Sequence, residues 1–143
     1  MSYQDLPDFL HVLEAKGLLK KIDAEVDPVL EITEITDRVV KQGGPALYFS
    51  RVKGSPYPLV TNVFGTMERM AMALGVAALD DVARRLQEYL DLPYAAGGDI
   101  LEKLKVLPKA AEAVKFLPKT VKKAPCQEVV DMEPDLRTLP ALH

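Results

Sequence analysis

Glycine and proline cut the first 75 residues into short pieces, and this punctuation restricts the fold more than any other feature. Gly17, Gly43-Gly44-Pro45, Lys53-Gly54-Ser55-Pro56, Gly65 and Gly75 leave no long uninterrupted segment. The longest stretch without a formal charge, Gly54–Met67, has 14 residues and contains two prolines and two glycines. A membrane helix needs about 20 predominantly apolar residues, so none is expected. What remains is a set of short helices and strands around one core.

The pieces alternate in period. Asp5 is placed to cap a helix with Pro7 in its opening turn, where a missing N–H costs nothing. Leu6, Phe9, Leu10 and Leu13 then share one face, and Gly17 ends the helix. Leu18–Val26 reads as a strand. Asp27-Pro28 opens a second helix by the same capping logic, with Leu30, Ile32, Ile35, Val39 and Val40 on its apolar side. Ala46–Val52 and Leu59–Phe64 read as strands joined by the Gly54 turn. Thr66 caps a third helix, whose predicted buried stripe is Met67, Met70, Ala71 and Leu74. Asp80 caps a fourth, with Val82, Leu86, Tyr89 and Leu90 facing inward and Asp80/Arg84 and Asp81/Arg85 as i, i+4 ion pairs. This is an α+β fold: a small mixed β-sheet flanked by about four helices.

Composition narrows the chemistry. Aromatic residues make up 6% of the chain and there is no Trp, so the core is aliphatic. A net charge of -3 gives no footprint for nucleic acid. The single Cys126 cannot form an internal disulfide, and the two histidines, His11 and His143, lie at opposite ends of the chain. No zinc motif, phosphate loop or nucleophile elbow is present. The acidic N-terminus lacks the features of a signal peptide, so a cytoplasmic location is expected.

The C-terminal third differs. Residues 99–124 hold seven lysines against Asp99, Glu102 and Glu112, a local charge of +4 that leaves -7 for the rest. Lys105-Val-Leu-Pro-Lys109 recurs as Lys115-Phe-Leu-Pro-Lys119, which suggests two short helices broken at proline. The expected organisation is a domain over 1–93, a Lys-rich helical connector over 94–124, and the start of a further domain over 125–143, with Cys126–Val130 its first strand.

Few residues stand out as functional. The Thr61–Thr66 segment leaves a strand and enters a helix, and Arg69 follows one turn later. Backbone N–H groups and a guanidinium there suit a phosphate or carboxylate, and Gly65 permits close backbone approach. The plainer reading is a turn shaped by Asn62 and Gly65 with Thr66 as the cap. Asn62, Gly65, Thr66 and Arg69 are therefore the candidate site, as a domain interface or an anion-facing junction. Glu31, Glu34 and Asp37 read as a solvated helix face, with Glu34 able to pair with Arg38. Met67 and Met70 read as core. Cys126 reads as a small strand hydrophobe. No catalytic or metal-ligating residue is assigned.

Several strings, in the same order from Asp5 to Pro140, resemble the N-terminal part of UbiD-type decarboxylases. These are the carboxy-lyases of the 3-octaprenyl-4-hydroxybenzoate type. Asp5-Leu-Pro-Asp-Phe-Leu10 with Glu14 and Gly17 is similar to that family's first helix. Ile22-Asp23, Asp27-Pro28 and Glu31-Ile32 resemble its next strand and helix, and Gly43-Gly-Pro-Ala-Leu47 the strand after that. The most specific string is Thr61-Asn-Val-Phe-Gly-Thr-Met-Glu-Arg69 followed by Ala73-Leu-Gly75. Pro125-Cys-Gln-Glu-Val-Val130 and Asp135-Leu136 with Leu139-Pro140 resemble the approach to the family's central domain. Pro7 and Leu18-Leu19 depart from the family pattern at element ends, where they disturb the fold little.

The resemblance implies the rest. Family members are several times longer and decarboxylate aromatic or α,β-unsaturated acids, in some cases reversibly. They use prenylated flavin mononucleotide, held through its phosphate with a divalent metal, manganese, and with potassium as a further candidate. The flavin serves as the electron sink while carbon dioxide leaves. The catalytic and ligating residues lie in a central, split-barrel-like flavin-binding domain that would begin near Pro125. This chain then reads as an N-terminal scaffold fragment, inactive alone. Its expected partners are the remainder of the decarboxylase, further copies in a homo-oligomer, and a flavin prenyltransferase supplying the cofactor. The rival reading is a free-standing, non-catalytic interaction module.

Overall fold

A computed structural model describes residues 3–91, 118 and 120–142. Residues 92–117 and 119, which carry most of the expected connector and of its two strings Lys105–Lys109 and Lys115–Lys119, lie outside the described residues, as does His143. The elements are α1 (Leu6–Ala15), β1 (Leu19–Val26), α2 (Glu31–Lys41), β2 (Ala46–Val52), β3 (Leu59–Thr61), α3 (Met67–Ala73) and α4 (Asp80–Leu90). Among the described residues, two single 3-10 turns follow, Pro125–Gln127 and Leu136–Thr138.

The sheet is mixed. Its strand order is β1-β2-β3. β1 and β2 run parallel, from Leu19 opposite Ala46 to Val26 opposite Val52, with an irregularity between Ile22 and Glu25. β3 pairs antiparallel to β2, with Tyr48 opposite Val60. Alternate β2 side chains point to opposite faces, and each face has its own core. Leu47 and Phe49 join Val26, Ile32 and Val52, with Ile35 and Val39 of α2 packed against them. Ala46 joins Phe9, Leu13 and Leu19, with Tyr48, Val63, Met72 and Ala73 packed against these. The sheet is thus covered by α2 on one face and by α1 and α3 on the other, the expected α+β arrangement.

Local chemistry explains the element ends. Asp5 Oδ1 accepts the Asp8 N–H at 2.8 Å and starts α1 as the sequence predicts. At the far end Leu18 N donates to Leu13 O at 2.8 Å while Gly17 takes φ +71°, a glycine-terminated helix stop. α2 departs from expectation. It begins at Glu31 rather than after Asp27, and Leu30 stands before it at φ +66° with no side-chain cap. Asp27 is drawn elsewhere: its carboxylate accepts from Val29 N at 2.9 Å and from Lys53 Nζ at 2.8 Å. Glu31 reaches back to Asp27 N at 2.7 Å and takes over the start of the helix. Glu34 pairs with Arg38 at 2.6 Å, as expected.

Three further expectations are corrected. β3 stops at Thr61, not Phe64, because Asn62 turns to φ +56°. Cys126–Val130 is not a strand: Pro125–Gln127 forms a 3-10 turn, and proline fixes φ where a ladder would need an N–H. In α3, Met67 and Leu74 are exposed, and the buried residues are Arg69 and Ala71.

Residues 80–132 form a compact unit distinct from the one made by 1–79 and 133–143. Within it α4 has no buried residue, so Leu86 and Leu90 are exposed rather than inward-facing. Arg84 donates to Asp81 at 2.7 Å, at i, i+3 spacing. In the first unit, Ser55 Oγ donates to Thr138 O at 2.6 Å, tying the second 3-10 turn to the β2–β3 connection. No helix among the described residues is long and apolar enough to cross a membrane.

Ile32 is fully buried where α2 meets the sheet. Replacing Ile32 with Ala is expected to cost about 2–5 kcal/mol. Chemical denaturation would read this as a lower midpoint at unchanged slope; a loss below 1 kcal/mol would contradict this packing.

Candidate functional site

The four candidate residues come together at the β3–α3 junction. Asn62 stands in the left-handed region, which Asn tolerates better than most residues. Its Nδ2 donates to two carbonyls of the α2–β2 turn, Pro45 O at 2.8 Å and Gly44 O at 3.2 Å. Two acceptors on one side fix the orientation of the carboxamide, because only the NH2 group can donate. Oδ1 is therefore directed to the other side, where it is buried without a hydrogen-bond partner.

Gly65 lies against that oxygen. A Cβ on Gly65 would sit 1.6 Å from Asn62 Oδ1 and 3.2 Å from an Arg69 guanidinium nitrogen. The glycine is thus required by close approach rather than by a positive φ. The only direction a side chain could take is filled by the Asn62 carboxamide.

Thr66 caps α3 as predicted, its hydroxyl accepting from Arg69 N at 3.3 Å. Arg69 closes the junction. Its Nε donates to Val63 O at 3.2 Å and a terminal nitrogen donates to Asn62 O at 3.1 Å. Its relative exposure is 1%. Burial pushes the guanidinium pKa down, and neighbouring Glu68 pushes it back up. Arginine's ordinary value is high enough that it stays charged. The guanidinium is turned into the protein and hydrogen-bonded to the turn that precedes its own helix. Nε and one terminal nitrogen of the guanidinium are thus used on backbone carbonyls. What the four residues build is a rigid lock joining the α2–β2 turn, the end of β3 and the start of α3.

The lock sets which side of α3 faces inward. Arg69 and Ala71 are buried, with Met72 and Ala73 half-buried against α1 and the sheet. Met67, Met70 and Leu74 follow one another at i, i+3 and i+7 on the outer side, 72%, 39% and 54% exposed. Phe64, just before the helix, is exposed and stacks on Phe9 with ring centroids 6.1 Å apart.

A groove of about 380 Å³ lies on the α1 side of the sheet. Leu10, His11 and Glu14 of α1 line one wall, and Lys21, Asp23 and Ser50 the other. Period-two alternation on β1 and β2 places those polar residues on one face, a signal the sequence carried and the candidate list omitted. Lys21 bonds Glu14 at 2.7 Å, and that hydrogen bond raises its pKa. Ser50 Oγ bonds Asp23 Oδ1 at 3.0 Å.

Neither feature fits the phosphate of a flavin or a metal. The cation of the groove is already matched by Glu14 and stands beside a second carboxylate, Asp23. Among the described residues, no group of three His, Cys, Asp or Glu side chains is placed to hold a metal ion.

Residues 10–88 match the 3-octaprenyl-4-hydroxybenzoate carboxy-lyase N-terminal domain. Among solved structures, the chain is similar to vanillic acid decarboxylase of Sedimentibacter hydroxybenzoicus. In its closed form the two are 33% identical over 64% of this chain and 20% of that one, with a TM-score of 0.56. In its open form they are 33% identical over 62% and 20%, with a TM-score of 0.55. It is also similar to an evolved dimeric form of the UbiD-class enzyme HmfF from Pelotomaculum thermopropionicum in complex with prFMN. There the identity is 34% over 65% and 20%, with a TM-score of 0.51. The chain spans about one fifth of the length of these structures.

The lock predicts coupling between two residues. Gly65→Ala is expected to destabilise the protein by about 1–3 kcal/mol, by displacing the Asn62 carboxamide and breaking its bonds to Gly44 and Pro45. In an Asn62→Ala background the same change is expected to cost markedly less, since the obstructing oxygen is gone. A double-mutant cycle on urea midpoints measures this; additive losses would show that the two residues do not act together.

Proposed function

The chain belongs to the 3-octaprenyl-4-hydroxybenzoate carboxy-lyase N-terminal domain family, and from that premise we propose that it is the N-terminal scaffold of a UbiD-type carboxy-lyase. The complete enzyme decarboxylates an aromatic or α,β-unsaturated acid. The observation that carries this reading is the agreement between the matched span, residues 10–88, and the lock at Asn62, Gly65, Thr66 and Arg69. In the most family-specific string of the sequence, Asn62, Thr66 and Arg69 spend their polar groups on structure and Gly65 makes room for them.

In this reading, residues 1–93 are the scaffold, 94–124 the connector, and 125–143 the approach to the flavin-binding portion. Prenylated FMN is the cofactor of the complete enzyme, a choice supported by the HmfF structure in complex with prFMN. Manganese, potassium and a flavin prenyltransferase follow from the family resemblance. By that resemblance, the ligands of the two metals belong to the flavin-binding portion. The junction is a domain interface rather than an anion site, because Arg69 is enclosed. The enzyme is a cytoplasmic homo-oligomer, and this chain alone is inactive.

Titration of the purified chain with FMN and Mn²⁺, followed by flavin fluorescence and calorimetry, tests the scaffold role. No saturable binding at micromolar concentration is expected. Tight, stoichiometric binding would show that the chain carries a cofactor site of its own and would overturn the reading.

A further inference from the structure

β1 is an edge of the sheet. It stands first in the order β1-β2-β3 and, among the described residues, has no second strand beside it. At eight residues it is longer than the usual strand of about 5–6. Ala46 N donates to Leu18 O. Backbone groups point alternately to the two sides of a strand, so those of Leu19 and Lys21 face the outer edge. A long edge of this kind is a template for a strand from another chain.

Two features of β1 work against such pairing. The first is a bulge. Ile22 stands opposite Phe49 and Glu25 opposite Arg51, so Asp23 and Ala24 together face the single residue Ser50. An extra residue is rare in a parallel pair, and here it is pinned. Ser50 Oγ lies 3.1 Å from Ile22 O and 3.0 Å from Asp23 Oδ1 and shares its one proton between them. A bulged strand bends and its ladder is interrupted, so an incoming strand cannot follow β1 from Leu19 to Val26 in one register. The second feature is charge. Lys20, Lys21, Asp23 and Glu25 are all exposed, and charged side chains on an edge, lysine above all, oppose the addition of a strand.

We propose that Ser50 guards this edge: by holding the Asp23–Ala24 bulge it keeps β1 from adding a strand of a second copy of the chain. Copies that assemble therefore meet through other surfaces. This property belongs to the sheet itself and does not depend on the scaffold reading.

Hydrogen exchange and sedimentation test it together. In the unaltered 143-residue chain, the Leu19 and Lys21 amides should exchange at rates that do not change with protein concentration, because the outer edge stays open. Protection of both that grows with concentration would show a strand already added there and would overturn the proposal. Ser50→Val removes the clamp and keeps the chain length. It should retain a cooperative melt, sediment faster as concentration rises, and slow the two amides with it. Deleting Ala24 in the Ser50→Val background restores one-to-one register between β1 and β2. Where that second variant folds, its association should be stronger, with the two amides slowed about tenfold at high concentration. Ser50→Val with both amides as fast, and sedimentation as constant, as in the unaltered chain overturns the proposal whatever the deletion does. A folded deletion variant that does not associate through β1 overturns it equally.

Discussion

The burial of Arg69 is the constraint on which the rest of the structure depends. A guanidinium taken out of water is costly unless its donors are matched. Here two of them are matched by the carbonyls of Asn62 and Val63, the two residues that leave β3. Those carbonyls are accessible only because Asn62 adopts φ +56° and interrupts the strand. Asn62 can hold that conformation because its amide is anchored on the α2–β2 turn. The anchor is possible only because residue 65 has no side chain. Each residue of the lock supplies the condition for the next, so the string from Asn62 to Arg69 acts as one unit.

That dependence explains which parts of the fold were legible in the sequence. α1 and β2 follow from local rules, a capping Asp5, a terminating Gly17, and an apolar run between Pro45 and Lys53. α2 was legible in kind but not in its start. Asp27 looks like a cap, and nothing local says that Lys53, 26 residues away, takes its carboxylate. The Cys126–Val130 strand expectation rested on composition alone and gave no partner to pair with. The α3 face was misread for a deeper reason. Periodicity assumes that apolar side chains turn inward, and an interaction between a side chain and the preceding turn overrode it.

The candidate site was legible as a place and not as a role. The spacing of Asn62, Gly65, Thr66 and Arg69 identified the junction, and the structure brings all four together. The sequence offers no way to tell a guanidinium aimed at solvent from one aimed at the backbone six and seven residues earlier. Only the position of Asn62 decides it. The groove beside α1 was missed because its polar residues are split between a helix and two strands, and the sequence shows them as ordinary wet positions. Its Lys21–Glu14 pair is a surface ion pair, of the kind that contributes little to stability.

The same lock connects stability to surface. If residue 69 were apolar, α3 could turn its methionine stripe inward and bury it, which in a small domain is the favoured arrangement. A charged residue held by two carbonyls removes that alternative, because rotating the helix would take Arg69 off its acceptors and leave both carbonyls unpaired. In the setting that keeps those bonds, Arg69 and Ala71 are buried and Met67, Met70 and Leu74 are exposed. The buried charge acts as a specificity device. It excludes the settings of the helix that would break its bonds to Asn62 and Val63.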